Sequence, residues 1–160
     1  MIVDFKKIPN WCKLWVFPSS RKFYPQEIEG LKERIEEFLT NWTNEGQSLA
    51  CSYQLKYDRF IIISVDNSEI SLSLKAHDTL TAFILELEKL YDVVLLDKIN
   101  VCYKQGEFVQ YKDLKEFKKM MKSKGVSKKT IVFDNMIITK AELENDWEIN
   151  IMDSWLGRFL

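Results

Sequence analysis

Glycine is scarce in this chain, and its five occurrences (Gly30, Gly46, Gly106, Gly125 and Gly157) are far apart. No two are close enough to form GxGxxG or a Walker A loop. Phosphate binding by a glycine-rich backbone cradle is thereby excluded. Histidine is scarcer still. Any Ser-His-Asp or Cys-His apparatus would have to use His77, which stands beside Asp78 with no converging partners in sequence. Cys12, Cys51 and Cys102 form no CxxC pair, and their odd number argues against a disulfide framework. They read as reduced, buried thiols, and no metal site or cofactor is expected. Three prolines leave no room for a long Pro-rich linker. No apolar run approaches the length of a membrane span. The opening "MIVDFKKIPNWCKLWVF" carries the early acid Asp4 and no signal-type apolar core. A cytoplasmic protein is the expectation.

What is present is an ordinary folding mixture, 46% hydrophobic and 29% charged. "KLWVF" (Lys13–Phe17) predicts a strand. Pro25 suits the first turn of a helix, and Ile28, Leu31, Ile35, Phe38, Leu39 and Trp42 recur at helical spacing, with Gly46 available to close it. Leu49, Cys51, Tyr53, Leu55 and Tyr57 alternate with polar residues, as in a half-buried strand. "YDRF" marks a reversal. "FIIISV" (Phe60–Val65) is apolar throughout, as a strand covered on both faces should be. Asp78 is the expected N-cap of a second helix through Leu80, Phe83, Ile84, Leu87 and Leu90, and "VVLLD" follows as a short strand. "INVCYKQGEFVQYK" predicts a hairpin turning at Gln105–Gly106. Leu114, Phe117 and Met121 predict a third helix ending at Gly125. "TIVFDNMII" predicts a strand, bent near Asp134–Asn135, and Thr139 a cap for a last short helix.

The order is β-α-β-β-α-β followed by β-β-α-β-α. It predicts an α+β protein in which a ferredoxin-like sandwich (residues 1–97) carries a small C-terminal αβ module (98–160), the two packed as one unit.

Charge is uneven. Between Tyr111 and Thr130 eight lysines stand against Asp113 and Glu116. Lys115, Lys118, Lys119 and Lys122 lie mainly opposite the third helix's apolar face. They are either a solvated surface or a contact for nucleic acid, a membrane surface or an acidic protein. Arginine is rare: four, against nineteen lysines. Arg21, Arg59 and Arg158 fall in a loop, a reversal and the tail. Each either anchors its loop or offers a bidentate fork to an anionic ligand. Asp66 and Asp78 are the carboxylates that an acid-and-arginine site would add to Arg21 and Arg59. The closing "DSWLGRFL" is unusually apolar. Trp155, Leu156, Phe159 and Leu160 are expected to dock on the chain's own domain, with Trp155 and Phe159 also candidates for contact with a partner.

"LWVFPSSRK", "SYQLKYDRFIIISVD", "TIVFDNMIITKAELENDW" and "DSWLGRFL" together resemble a family of short, uncharacterised bacterial proteins, many of which carry the label "ABC transporter ATPase". With no Walker A loop and no LSGGQ-like signature, ATP hydrolysis is not expected of this chain. In that family the loop before the second helix often holds a Gly-Cys-Ser-like stretch ahead of an acid. Here the place reads Leu74-Lys75-Ala76-His77-Asp78, which keeps the acid and has no cysteine. The stretch from Asn100 to Trp147 also resembles small GYF-like peptide-recognition modules. The functional expectation is a non-catalytic module that binds a protein or an anionic small ligand. The alternative is a small enzyme built on Arg21, Arg59, Asp66 and Asp78.

Overall fold

A computed structural model describes all 160 residues. In chain order the first half forms β1 (Leu14–Pro18), α1 (Pro25–Asn41), β2 (Thr43–Asn44), β3 (Gln47–Ser48), β4 (Cys51–Lys56), β5 (Phe60–Val65) and α2 (Leu74–Tyr91). The second half forms β6 (Val101–Gln105), β7 (Phe108–Lys112), α3 (Leu114–Lys122), β8 (Ile131–Phe133), α4 (Lys140–Asn145) and β9 (Glu148–Asn150). Short 3₁₀ turns lie at Phe5–Lys7, Ile151–Asp153 and Trp155–Phe159. The fold is α+β. One antiparallel sheet has the order β1-β5-β4, a second has β7-β6-β8-β9, and β2 and β3 make a separate small hairpin.

The layers follow from the period of two in β1 and β5, both buried along their whole length. Trp15, Phe17, Ile61 and Ile63 point one way. They meet Leu31, Ile35 and Leu39 of α1 and Leu80, Ile84 and Leu87 of α2 in the largest apolar cluster. Leu14, Val16, Phe60 and Ile62 point the other way, onto Cys102, Phe133 and Trp147 of the second half. The far face of the second sheet carries Val101, Tyr103 and Val132, covered by Phe117 and Met121 of α3 and by Ile151 and Leu156 of the tail. The order through the molecule is therefore α1 and α2, first sheet, second sheet, then α3 with the tail. Two unlike helical surfaces result, one at each end of the stack.

Several local expectations are corrected. Helix α2 begins five residues earlier than an Asp78 cap predicts. Ser73 is the cap, its hydroxyl accepting from Ala76 N–H at 3.1 Å. Residues 93–97 form no strand. Val93 and Leu95 are buried, but Leu95 and Leu96 donate their N–H groups to the Glu88 carboxylate rather than to a neighbouring strand. The first sheet accordingly has three strands, in the order β1-β5-β4, and lacks the fourth strand expected of a ferredoxin-like sandwich. The second hairpin turns at Gly106–Glu107, one residue later than expected, because Gly106 takes the positive φ of 64°. Strand β8 stops at Phe133: Asn135 turns its amide inward to Trp147, and Met136 and Ile138 are exposed. Gly46 closes the β2–β3 turn, not α1.

Candidate functional site

The side of α1 and α2 away from the first sheet encloses a groove of about 510 Å³. On α1 its wall is Arg34, Glu37, Phe38 and Asn41, spaced by three and four residues so that they share one face. On α2 it is Thr79, Phe83, Glu86, Leu87 and Leu90. Phe38 and Phe83 stack across the floor with centroids 4.3 Å apart and planes only 5° from parallel. Each ring is half-buried. Leu90 stays 52% exposed, so the floor is an open apolar surface rather than a finished core. Arg34 and Lys75 place positive charge on the rim, and Glu37, Glu45 and Glu86 place negative charge there.

One end of the groove is fixed. The Trp42 indole N–H donates to Ala76 C=O at 3.0 Å, tying the end of α1 to the start of α2. Asn44 accepts from Ser73 N–H at 2.7 Å and donates to Ser71 C=O, which pins the β2–β3 hairpin across the same end. That hairpin turns on Glu45 and Gly46, both at positive φ, and Gly46 takes its 82° without steric cost. The cleft therefore exists before any ligand arrives. Its volume lies in the range of small-molecule sites.

The four residues of the acid-and-arginine reading are not brought together. Arg21 and Arg59 lie at one end of the first sheet, where Ser19 N–H donates to Arg59 C=O. Asp66 lies beyond the other end of β5, about 23 Å from Arg59 at the rise of a strand. There it accepts from Ser68 Oγ and N–H and from the Cys12 thiol, as a turn-forming carboxylate does. These bonds, chiefly the Ser68 hydroxyl, hold its pKa below the usual value. Asp78 is exposed on α2. Arg21 grips Glu27 through both guanidinium nitrogens (2.9 and 3.2 Å), donates to Tyr91 C=O at 2.6 Å, and lies over the Tyr24 ring. Arg59 is buried and donates to Val109 C=O of β7, linking the two sheets. Burial pushes its pKa down. The small pocket beside it adds Lys22 against Asp58 and Glu107 and so has no net charge preference.

The Arg21–Glu27 pair gives a pH-dependent test. The Arg21 hydrogen bonds hold the Glu27 carboxyl below its ordinary pKa. Its contribution to stability is therefore full above the unfolded-state pKa, near 4.5, and is lost as pH falls through the lower folded-state value. Both side chains remain partly wetted, so Glu27→Gln is expected to cost only about 1 kcal/mol at neutral pH. Melting curves of the two proteins should converge as the pH is lowered below that of carboxylate titration. A gap that persists in acid would refute the charge-based account.

The lysine-rich helix and the tail are brought together. Lys115, Lys118, Lys119 and Lys122 fall within about 100° of arc on α3, at 3.6 residues per turn, away from buried Phe117 and Met121. The Lys118 ammonium lies 4.3 Å from the centre of the Phe159 ring, and the Arg158 guanidinium 4.9 Å from it. Trp155 meets the same ring edge-on. Of the four apolar tail residues, only Leu156 is buried, at 2% exposure. Trp155, Phe159 and Leu160 remain 45%, 39% and 40% exposed. The tail folds back on the preceding turn so closely that a Cβ at Gly157 would come within 2.9 Å of Met152 C=O. Leu156 and Gly157 are buried in this turn, while Trp155 and Arg158 on either side of them are exposed.

The three thiols are buried and unpaired. Burial raises the pKa of each, with Cys102 pushed up to about 12. They are therefore protonated and act as small core residues. His77 is within α2, its ring 5.9 Å from that of Trp15. No three His, Cys, Asp or Glu side chains are grouped to hold a metal ion, and no helix is long and apolar enough to cross a membrane.

Comparison with protein-family models finds no match, and comparisons with curated proteins and with solved structures find none either. Two surfaces of the molecule are left as candidates for function: the groove, and the face of α3 and the tail at the opposite end of the stack. Sequence reading passed over the groove because Phe38 and Phe83 satisfy the apolar period of their helices as well as any core residue. The one usable signal was the glycine turn at Glu45–Gly46, read instead as a helix stop.

Proposed function

We propose that this chain is a non-catalytic binding module whose recognition site is the groove between α1 and α2. The observation that carries the reading is the half-exposed Phe38–Phe83 stack at the floor of a cleft already braced at one end. Such a floor accepts a flat or branched apolar group, from a small ligand or from a side chain of a protein partner. The mixed charges of Arg34, Lys75, Glu37 and Glu86 orient the polar part of that ligand at the rim. We extend the proposal to membership of the short bacterial family. The segments that carry that resemblance supply β1, β4, β5, β8, α4 and the tail, not the groove walls. The resemblance therefore concerns the scaffold, and the groove sets the ligand.

The test uses anilinonaphthalene sulfonate, whose rings match the apolar floor and whose sulfonate matches Arg34 and Lys75 on the mixed-charge rim. The native protein should bind it saturably. Thr79 is exposed on the groove wall, so Thr79→Trp fills the cleft without entering the core. It should weaken probe binding by at least tenfold while leaving the melting temperature close to that of the parent. Equal probe binding by the two proteins would reject the groove as the site.

A further inference from the structure

We propose that the face formed by α3 and residues 152–160, at the opposite end of the stack from the groove, docks on an anionic lipid bilayer surface. The inference stands on its own observations and does not depend on what the groove binds. Three of them converge. First, α3 turns four lysines to one side, and Lys118 brings that stripe against the tail. With Arg158 they outnumber Glu116 and Asp153, the acids on the same two segments. Second, Trp155, Leu160 and Met152 are 45%, 40% and 45% exposed beside those cations. Apolar groups are left in water here although Leu156, in the same turn, is buried. Third, Lys118 and Arg158 lie on the aromatic ring of Phe159, and none of the five cations is paired with a carboxylate, so their charge is not neutralised within the chain.

An anionic bilayer interface satisfies all three. Its phosphates and negative surface potential attract lysines at a distance of about a Debye length. Tryptophan favours the headgroup level, and leucine and methionine reach the acyl boundary. A nucleic acid would use the lysines but leave Leu160 and Met152 without a role. Base stacking would also have to displace Lys118 or Arg158 from the Phe159 ring. An acidic protein segment would use the charges and has no need of a lipid-like phase for the aliphatics.

The full chain is sedimented with vesicles of phosphatidylcholine alone and of phosphatidylcholine mixed with phosphatidylglycerol, at low and at high salt. Binding is expected only to the anionic vesicles and is expected to fall as salt is raised. The triple variant Lys115→Gln, Lys119→Gln, Lys122→Gln should bind on the order of a hundredfold more weakly, from roughly fivefold per charge. Trp155→Ser with Phe159→Ser should lose at least tenfold while keeping a cooperative melt within a few degrees of the parent's, since neither ring belongs to the three buried apolar clusters. As a second readout that leaves the surface nearly intact, bromine-labelled phosphatidylglycerol should quench the parent's fluorescence more than that of Trp155→Phe. The proposal is overturned by equal binding to neutral vesicles, by no binding to anionic ones, or by an aromatic variant that binds undiminished. Salt-sensitive binding to a single-stranded oligonucleotide or an acidic peptide, with no binding to vesicles, would equally overturn it. Thr79→Trp should leave vesicle binding unchanged, so failure of the groove reading is distinguishable from failure of this one.

Discussion

Trp147→Ala is expected to lower the stability of the protein by about 4 kcal/mol, within the range for emptying a buried aromatic site. Trp147 is 2% exposed and sits between the two sheets. Its ring meets Phe60 of the first sheet and Phe133 of the second, each at a centroid distance of 4.9 Å. Phe60 and Phe133 are themselves in contact at 4.8 Å, and Tyr57 closes the group from the β4–β5 reversal. Deleting the indole therefore removes the central member of an aromatic cluster that bonds one layer to the other. It also strips a donor from Asn135, whose Oδ1 accepts the indole N–H at 2.9 Å in a buried setting. For a chain of this length the loss corresponds to a melting-temperature drop of roughly 8–16 °C. Trp147→Phe separates the two contributions. It keeps most of the ring contacts and orphans Asn135, so about 1–3 kcal/mol should be lost from the unsatisfied amide and the smaller ring. Denaturant titration of the three proteins measures both steps. An alanine variant within 1 kcal/mol of the parent would mean that the sheets are not held by this cluster.

The same inter-sheet core explains which parts of the fold were legible in the sequence. "FIIISV" has no polar side because Phe60 and Ile62 face one layer while Ile61 and Ile63 face another. Its uniform apolarity announced a doubly covered strand. The helical stripe Leu31, Ile35, Leu39 was equally plain. Pairing was legible only within the two hairpins, β4–β5 and β6–β7. The strand order and the way the second sheet covers the first depend on contacts between residues far apart in sequence, to which a local period is blind. "VVLLD" shows the limit: Val93 and Leu95 are buried as a strand's would be, yet their segment is fastened by the Glu88 carboxylate. Strand β9 was missed because three residues carry no measurable period. The charged residues singled out in the sequence were chemically conspicuous for structural reasons. Arg21, Arg59 and Asp66 are each committed to local hydrogen bonds that hold a loop or join two layers. The groove was hidden because an apolar helix position at the edge of a helical seam has the same residue type as one at its centre. Only the separation of the helices decides which it is.

The mixture of conspicuous and hidden function has a counterpart in Lys140. Nothing in "TKAELEN" distinguishes this lysine, and a cation in the first turn of a helix is electrostatically disfavoured. In the fold it is 5% exposed. Its ammonium donates to Phe5 C=O and Ile8 C=O, both at 2.8 Å, and lies over the Phe5 ring at 4.7 Å. The backbone of the same turn reinforces the grip, with Lys140 N–H donating to Cys12 C=O and Ala141 N–H to Asn10 C=O. Residues 5–12 are thus held to α4 by one side chain and two main-chain bonds. Lys140→Met keeps the aliphatic stem and removes the charge. It leaves the Ile8 carbonyl without its side-chain donor and Phe5 with only the 3.2 Å bond from Ile8 N–H. Orphaning buried acceptors of a charged donor costs about 1–3 kcal/mol each, so a loss of about 3 kcal/mol is expected. The effect should be local as well as global. Amide exchange should accelerate across residues 5–12 beyond what the global destabilisation produces, while β5 exchanges only at the rate set by global unfolding. A methionine variant as stable as the parent, with residues 5–12 equally protected, would show that the two backbone bonds suffice and that the buried ammonium contributes nothing to holding this segment.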